Sequence, residues 1–223
     1  MATAGEAAVT RRHTTIRLLC ALAATILLAS CSGQDTAEIQ ESRSGEDTPE
    51  RLIHFVQEYV TVEPSPGLTR VIGIYHIRNE SDAAAEMGIL YPFPVDRDHA
   101  PPHIVHLWDQ TPDGYRTKGF VRRDADILLT LLFEPREEKV FKVEYVQRIR
   151  KQHAVYIVTT TRQWERAIEL AEFEFRIPAT LHGVALSFEP DRTESRGDTV
   201  VYYMRQEQFY PDEDLTVTWT AER

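Results

Sequence analysis

Beyond residue 50 the chain alternates apolar and polar side chains with a period of two. In Ala171-Glu172-Phe173-Glu174-Phe175-Arg176-Ile177 the odd positions are apolar and the even ones charged. Leu215, Val217 and Trp219 alternate with Thr216, Thr218 and Thr220, and Phe141, Val143 and Tyr145 with Lys142 and Glu144. Such a pattern predicts strands that send one set of side chains into a core and the other into water. Threonine on the wet side strengthens the assignment, because its branched side chain suits a pleated surface.

Ile127-Leu128-Leu129-Thr130-Leu131-Leu132-Phe133 is apolar at nearly every position and predicts a central strand covered on both faces. Further strands are predicted over 53–62, 68–78, 87–91, 104–108, 115–122, 155–161, 184–188 and 200–204. Turn chemistry separates them at Pro64-Ser65-Pro66-Gly67, Pro112-Asp113-Gly114 and Arg196-Gly197-Asp198. One short helix is predicted over 163–170. The fold class expected is all-β: an antiparallel β-sandwich, as one unit or as two packed sub-sandwiches divided near residue 150, with at most that one helix. The stretch before 150 supplies about seven strands, the number of an immunoglobulin-like sandwich. The four or five strands after it are too few to stand comfortably alone.

The N-terminus follows a different rule. Arg11, Arg12 and Arg17 precede an apolar run over 18–29, 12 positions long, that ends in small residues. Spanning a bilayer takes about 20 apolar residues, so this run reads as a secretory signal over 1–30. Leu28-Ala29-Ser30-Cys31 resembles the lipobox of bacterial lipoproteins. That resemblance implies cleavage between Ser30 and Cys31, a diacylglyceryl thioether on Cys31 and acylation of the new amino group. Two or three acyl chains anchor a protein stably where one does not. Ser32, where aspartate would favour inner-membrane retention, implies the outer membrane in a Gram-negative host.

Residues 32–50 are polar, acidic and nearly devoid of large apolar side chains, the composition of a disordered tether. Its 19 residues reach roughly 25 Å on average. The domain expected after it spans 51–223. Without residues 1–30 the chain carries 22 basic and 34 acidic residues, a formal charge of −12 against −10 for the whole. This acidity disfavours nucleic acid as a partner. The one dense basic stretch, Arg148-Ile149-Arg150-Lys151, reads as a solvated strand end. Of the two cysteines, Cys20 lies in the leader and Cys31 is the lipid site, so neither a disulfide nor a thiol nucleophile is expected in the domain.

No Gly-x-Ser-x-Gly elbow, glycine-rich phosphate loop or His-Glu-x-x-His occurs. His99, His103 and His106, with Asp96 and Asp98 just upstream, are the candidate metal ligands. A strand over 104–108 would point His103 and His106 to opposite faces, and Pro101-Pro102 would keep His99 on a separate stiff segment. Surface and strand-edge histidines are the plainer reading. Asp212-Glu213-Asp214 lacks the alternating ligands of a calcium loop and reads as an acidic hairpin tip. Glu172 and Glu174 fall on a solvated face, and Asp109 and Asp113 have no evident partner, so no catalytic residue is assigned.

Tyr202 and Tyr203 should face opposite ways, one into the core. Tyr91-Pro92-Phe93-Pro94 is similar to a Tyr-x-Phe-Pro run of some exported β-sandwich modules and implies no function. The sequence thus reads as a non-catalytic, lipid-anchored binding or assembly module of the cell envelope, without cofactor. Its expected partners are the membrane, through the anchor, and an envelope protein or glycan. The alternative is an exported metal-dependent hydrolase centred on His99, His103 and His106.

Overall fold

The computed structural model describes residues 52–220. Cys31, the leader and the tether lie outside the described residues. The described residues form fourteen strands: β1 (Ile53–Ser65), β2 (Leu68–Asn79), β3 (Ala85–Pro92), β4 (Ile104–Thr111), β5 (Gly114–Thr117), β6 (Val121–Arg122), β7 (Asp126–Phe133), β8 (Glu138–Arg148), β9 (His153–Tyr156), β10 (Ile168–Pro178), β11 (His182–Leu186), β12 (Arg192–Arg196), β13 (Thr199–Phe209) and β14 (Leu215–Thr220). The domain is all-β. An eight-stranded sheet runs in the order β12-β13-β10-β1-β2-β8-β4-β5, and two three-stranded sheets, β11-β14-β9 and β3-β7-β6, share one core with it.

Alternation accounts for most of this arrangement. In β10, Ala171, Phe173, Phe175 and Ile177 are buried, while Glu172, Glu174 and Arg176 line the outer face. Burying each of the larger apolar side chains is worth roughly 1.5–3 kcal/mol. In β2 the odd positions from Thr69 to Asn79 turn inward, and in β8 Phe141, Val143, Tyr145 and Gln147 do the same. The β1–β2 hairpin closes on Pro66-Gly67, where Gly67 adopts φ +78, a conformation that favours glycine.

Pairing is antiparallel as expected, with one addition among the described residues: β1 pairs with β10 in parallel, Val60 opposite Phe173 and Val62 opposite Phe175. Three expectations are corrected. The apolar run in β7 is covered on one face only; Ile127, Leu129, Leu131 and Phe133 are buried, whereas Leu132 is 62% exposed. The strand expected over 115–122 is interrupted after Thr117, giving β5 and β6 in different sheets. The helix expected over 163–170 is a 3₁₀ segment at Thr159–Trp164, and Ile168–Leu170 already belong to β10. A strand begins there because Ile168 must fill the core opposite Phe209.

The eight-stranded sheet draws on both sides of residue 150, with β1, β2, β4, β5 and β8 from one and β10, β12 and β13 from the other. A cut near residue 150 would therefore separate β1 from β10 within one sheet.

Candidate functional site

A local irregularity in β1 creates the site. The register of β1 on β2 shifts between Phe55 and Gln57, a bulge at Val56. Before it the odd residues Ile53 and Phe55 face the core; after it the even residues Glu58, Val60 and Val62 do. Bulges commonly re-aim a side chain in this way. Here the effect is to place a glutamate among apolar groups.

Glu58 is 1% exposed and sits in a cross-strand row with Ala171 of β10, Tyr75 of β2 and, beyond Tyr75, Phe141 of β8. Tyr75 stacks on Phe141, with ring centres 5.0 Å apart. Tyr91 reaches in from β3 and Tyr156 from β9, so each of the three sheets contributes one tyrosine. The Tyr75 hydroxyl lies 2.8 Å from that of Tyr91 and 2.9 Å from that of Tyr156. Tyr156 donates to Glu58 Oε2 over a long 3.5 Å. Each hydroxyl has one proton, so Tyr75 then donates to Tyr156 and Tyr91 to Tyr75, a chain directed at the carboxyl.

Glu58 Oε1 is buried and finds no hydrogen-bond partner among the described residues. Burial pushes the carboxyl up to about 8, against the weaker opposing effect of the Tyr156 hydrogen bond. Burial likewise raises the phenols of Tyr75, Tyr91 and Tyr156 well above their ordinary value.

Beside Glu58 lies a cavity of about 460 Å³, between the inner face of β1, β2 and β8 and a rim made by β3 and the 3₁₀ segment. Phe55, Tyr75 and Phe141 line the sheet side, and Trp164 lies against Phe55 at 5.6 Å between ring centres. Gly88, Leu90, Gln163 and Glu165 line it too and are exposed, which places its mouth between β3 and the segment. Asp214 fastens the segment: its Oδ1 accepts from the Val158 and Thr159 amides, both at 3.0 Å, and from the Thr159 hydroxyl at 2.8 Å. The acidic tip at 212–214 thus has a structural use that its composition did not suggest.

The candidate histidines are placed differently. His99 is 1% exposed and engaged at both ring nitrogens: Nδ1 lies 2.9 Å from Asp96 Oδ1, and Nε2 lies 3.1 Å from the His153 carbonyl oxygen. His103 is exposed and joins the sheet through its backbone, which donates to the Val146 carbonyl. His106 is exposed on the outer face against Trp108, with ring centres 5.4 Å apart. Among the described residues no three His, Cys, Asp or Glu side chains converge to hold a metal ion. Burial first, and His99 second, keep the His153 imidazole below its usual range.

Further charged candidates are held in ion pairs. Glu172 pairs with Arg205 at 3.0 Å and Glu174 with Arg176 at 2.7 Å. Asp109 pairs with Lys118 at 2.9 Å, and Lys151, from the basic stretch, with Asp98 at 2.6 Å. Such exposed pairs contribute little stability. Tyr203 packs under the Arg192 guanidinium, 4.0 Å from its ring centre, while Tyr202 packs against the core.

Reading the sequence did not single out Glu58. The signal that could have found it is the change of phase in β1, where the apolar set moves from Ile53 and Phe55 to Val60 and Val62.

No family model matches the sequence, and no curated protein does. The fold resembles that of a candidate nutrient-binding protein from Legionella pneumophila subsp. pneumophila, with 13% identity and a TM-score of 0.56, over 75% of this chain and 67% of that one. At that identity the likeness shows the fold alone. An M1 zinc metallopeptidase from Deinococcus radiodurans gives a TM-score of 0.49 at 13% identity, over 75% of this chain and 42% of that enzyme. This chain therefore spans less than half the enzyme's length, and the likeness is too slight to bear on activity.

Proposed function

We propose that residues 52–220 form a binding module that admits a small, largely apolar molecule to the cavity beside Glu58. The observation that carries this reading is a cavity of about 460 Å³ whose lining includes the buried Glu58, with Oε1 unpartnered among the described residues. An unsatisfied buried polar atom costs about 1–3 kcal/mol, and a ligand donating to it removes that cost. Small-molecule sites are commonly clefts of about 300–1,000 Å³ that combine apolar walls with convergent polar groups; this one joins aromatic walls to Glu58 and the tyrosine hydroxyls. The Legionella protein's description as nutrient-binding is in keeping with this use of the fold. The lipobox supports a second part of the reading, that a lipid on Cys31 carries the module on the bacterial envelope.

Trp164 lines the cavity, so ligand entry should change its emission. Saturable quenching by 2-phenylethanol, lost when Met87→Tyr narrows the cavity from β3, is the expected result. No quenching at millimolar probe, or quenching that persists in Met87→Tyr, removes the reading. The anchor is tested separately by intact mass spectrometry of membrane-extracted protein; an unprocessed leader or a bare Cys31 thiol would exclude it.

A further inference from the structure

The cavity's lining holds two acids, Glu58 inside and Glu165 at the exposed rim, and no Lys, Arg or His is among its lining residues. Its walls carry six aromatic rings, those of Phe55, Tyr75, Tyr91, Phe141, Tyr156 and Trp164. Aromatic faces bear negative electrostatic potential, and rings grouped beside a carboxyl form the usual receptor for an ammonium group. A carboxylate ligand would meet like charge from Glu165 at the rim and the negative faces of the rings inside. A neutral hydroxyl would satisfy Glu58 Oε1 with its single proton but leave the ring faces without a counterpart.

Resting on the reading that this cavity holds a ligand, we propose that the ligand is a small organic amine, bound as its ammonium against Glu58 Oε1 with its apolar body between the rings. An ammonium has three N–H donors. One meets Oε1, and tyrosine hydroxyl oxygens are within the same cluster to accept the others.

Binding then moves a proton. The groups facing Glu58 are Tyr75 from β2, Tyr91 from β3 and Tyr156 from β9; Ala171 lies opposite it on β10, Glu165 just after the 3₁₀ segment is the acid at the rim, and the segment's Arg162 lies over the Tyr210 ring instead. In the empty cavity burial keeps the Glu58 carboxyl protonated at neutral pH. Seating R–NH₃⁺ beside it favours the carboxylate, so the carboxyl O–H bond breaks and H⁺ passes to solvent buffer, leaving an ammonium–carboxylate pair. The three phenols stay protonated throughout this range.

The test is isothermal titration calorimetry of the purified full chain with three matched probes, 2-phenylethylamine, 2-phenylethanol and 3-phenylpropionate, in two buffers of different ionisation enthalpy. The amine should bind tightest and release about one proton per ligand at pH 7. Its affinity should rise close to tenfold per pH unit as the pH increases towards 8. Glu58→Gln should weaken amine binding about 10- to 100-fold, the scale of a lost charged hydrogen bond, and abolish proton release. Glu58→Asp, which keeps the carboxyl, should retain proton release and so separates charge loss from misfolding. If the alcohol or the carboxylate binds as tightly as the amine, or Glu58→Gln leaves the amine unaffected, the amine proposal fails while the cavity reading stands. If none of the three binds at millimolar concentration, both fail.

Discussion

Gly73 lies directly beneath the ring of Tyr75 on the inner face of β2: a Cβ at Gly73 would stand 1.8 Å from Tyr75 Oη and 2.3 Å from its Cζ. The glycine is what lets the tyrosine fold back along its own strand to reach Tyr91 and Tyr156. An alanine in a strand interior ordinarily gains on glycine by roughly 0.5–1 kcal/mol. At this position the sign should reverse. Gly73→Ala should destabilise the domain by about 1–3 kcal/mol through overpacking, read from the urea midpoint. Adding Tyr75→Phe should recover little, since the ring carbon would still clash; recovery to wild type would show that the hydroxyl alone sets the constraint.

The buried acid predicts an unusual pH dependence. The folded carboxyl of Glu58 stands at about 8, above its unfolded value of 4.5, so the folded state holds the extra proton between those limits. Its stabilising contribution is complete below about pH 4.5 and lost as pH rises through 8, making stability fall with pH across this window. Wild type minus Glu58→Gln, measured by urea unfolding from pH 5 to 9, isolates the effect from other groups. A flat difference would mean that Glu58 is solvated in the folded state.

Asp214 is expected to govern order at the cavity rim. Asp214→Ala removes one oxygen that serves the Val158 and Thr159 amides and the Thr159 hydroxyl. The cost should be about 1–2 kcal/mol, as for a lost cap. Amide exchange at Val158 and Thr159 should quicken more than in the interior of β10. Asp214→Asn, retaining an acceptor, should lose less.

The three candidate histidines should separate by burial. His99→Ala leaves Asp96 and the His153 carbonyl without their ring partner and should cost about 2 kcal/mol. His103→Ala and His106→Ala, at exposed positions, should stay within about 0.5 kcal/mol of wild type. Added Zn²⁺ should leave the thermal midpoint unchanged. A stoichiometric zinc lost on His103→Ala would instead indicate a three-histidine centre.

Alternation was enough to place β10, β14 and the centre of β8, because a period of two maps directly onto inside and outside. It was enough, too, to put Glu172 and Glu174 in water and Tyr202 and Tyr203 on opposite faces. It misjudged β7, because apolar residues on an exposed face read the same in one dimension as residues covered by a second layer. It misplaced the helix, because Ile168 and Leu170 fit a helical spacing as well as a strand until a pairing partner in β13 is known.

The all-β character and the turn positions therefore follow from local chemistry: side-chain period, proline and glycine. The cavity does not. It depends on a one-residue bulge that turns Glu58 inward, and on tyrosines from three sheets separated by as much as 81 residues meeting at one point. Pairing register and long-range packing set those distances, and neither leaves a mark within the short windows from which strands are read.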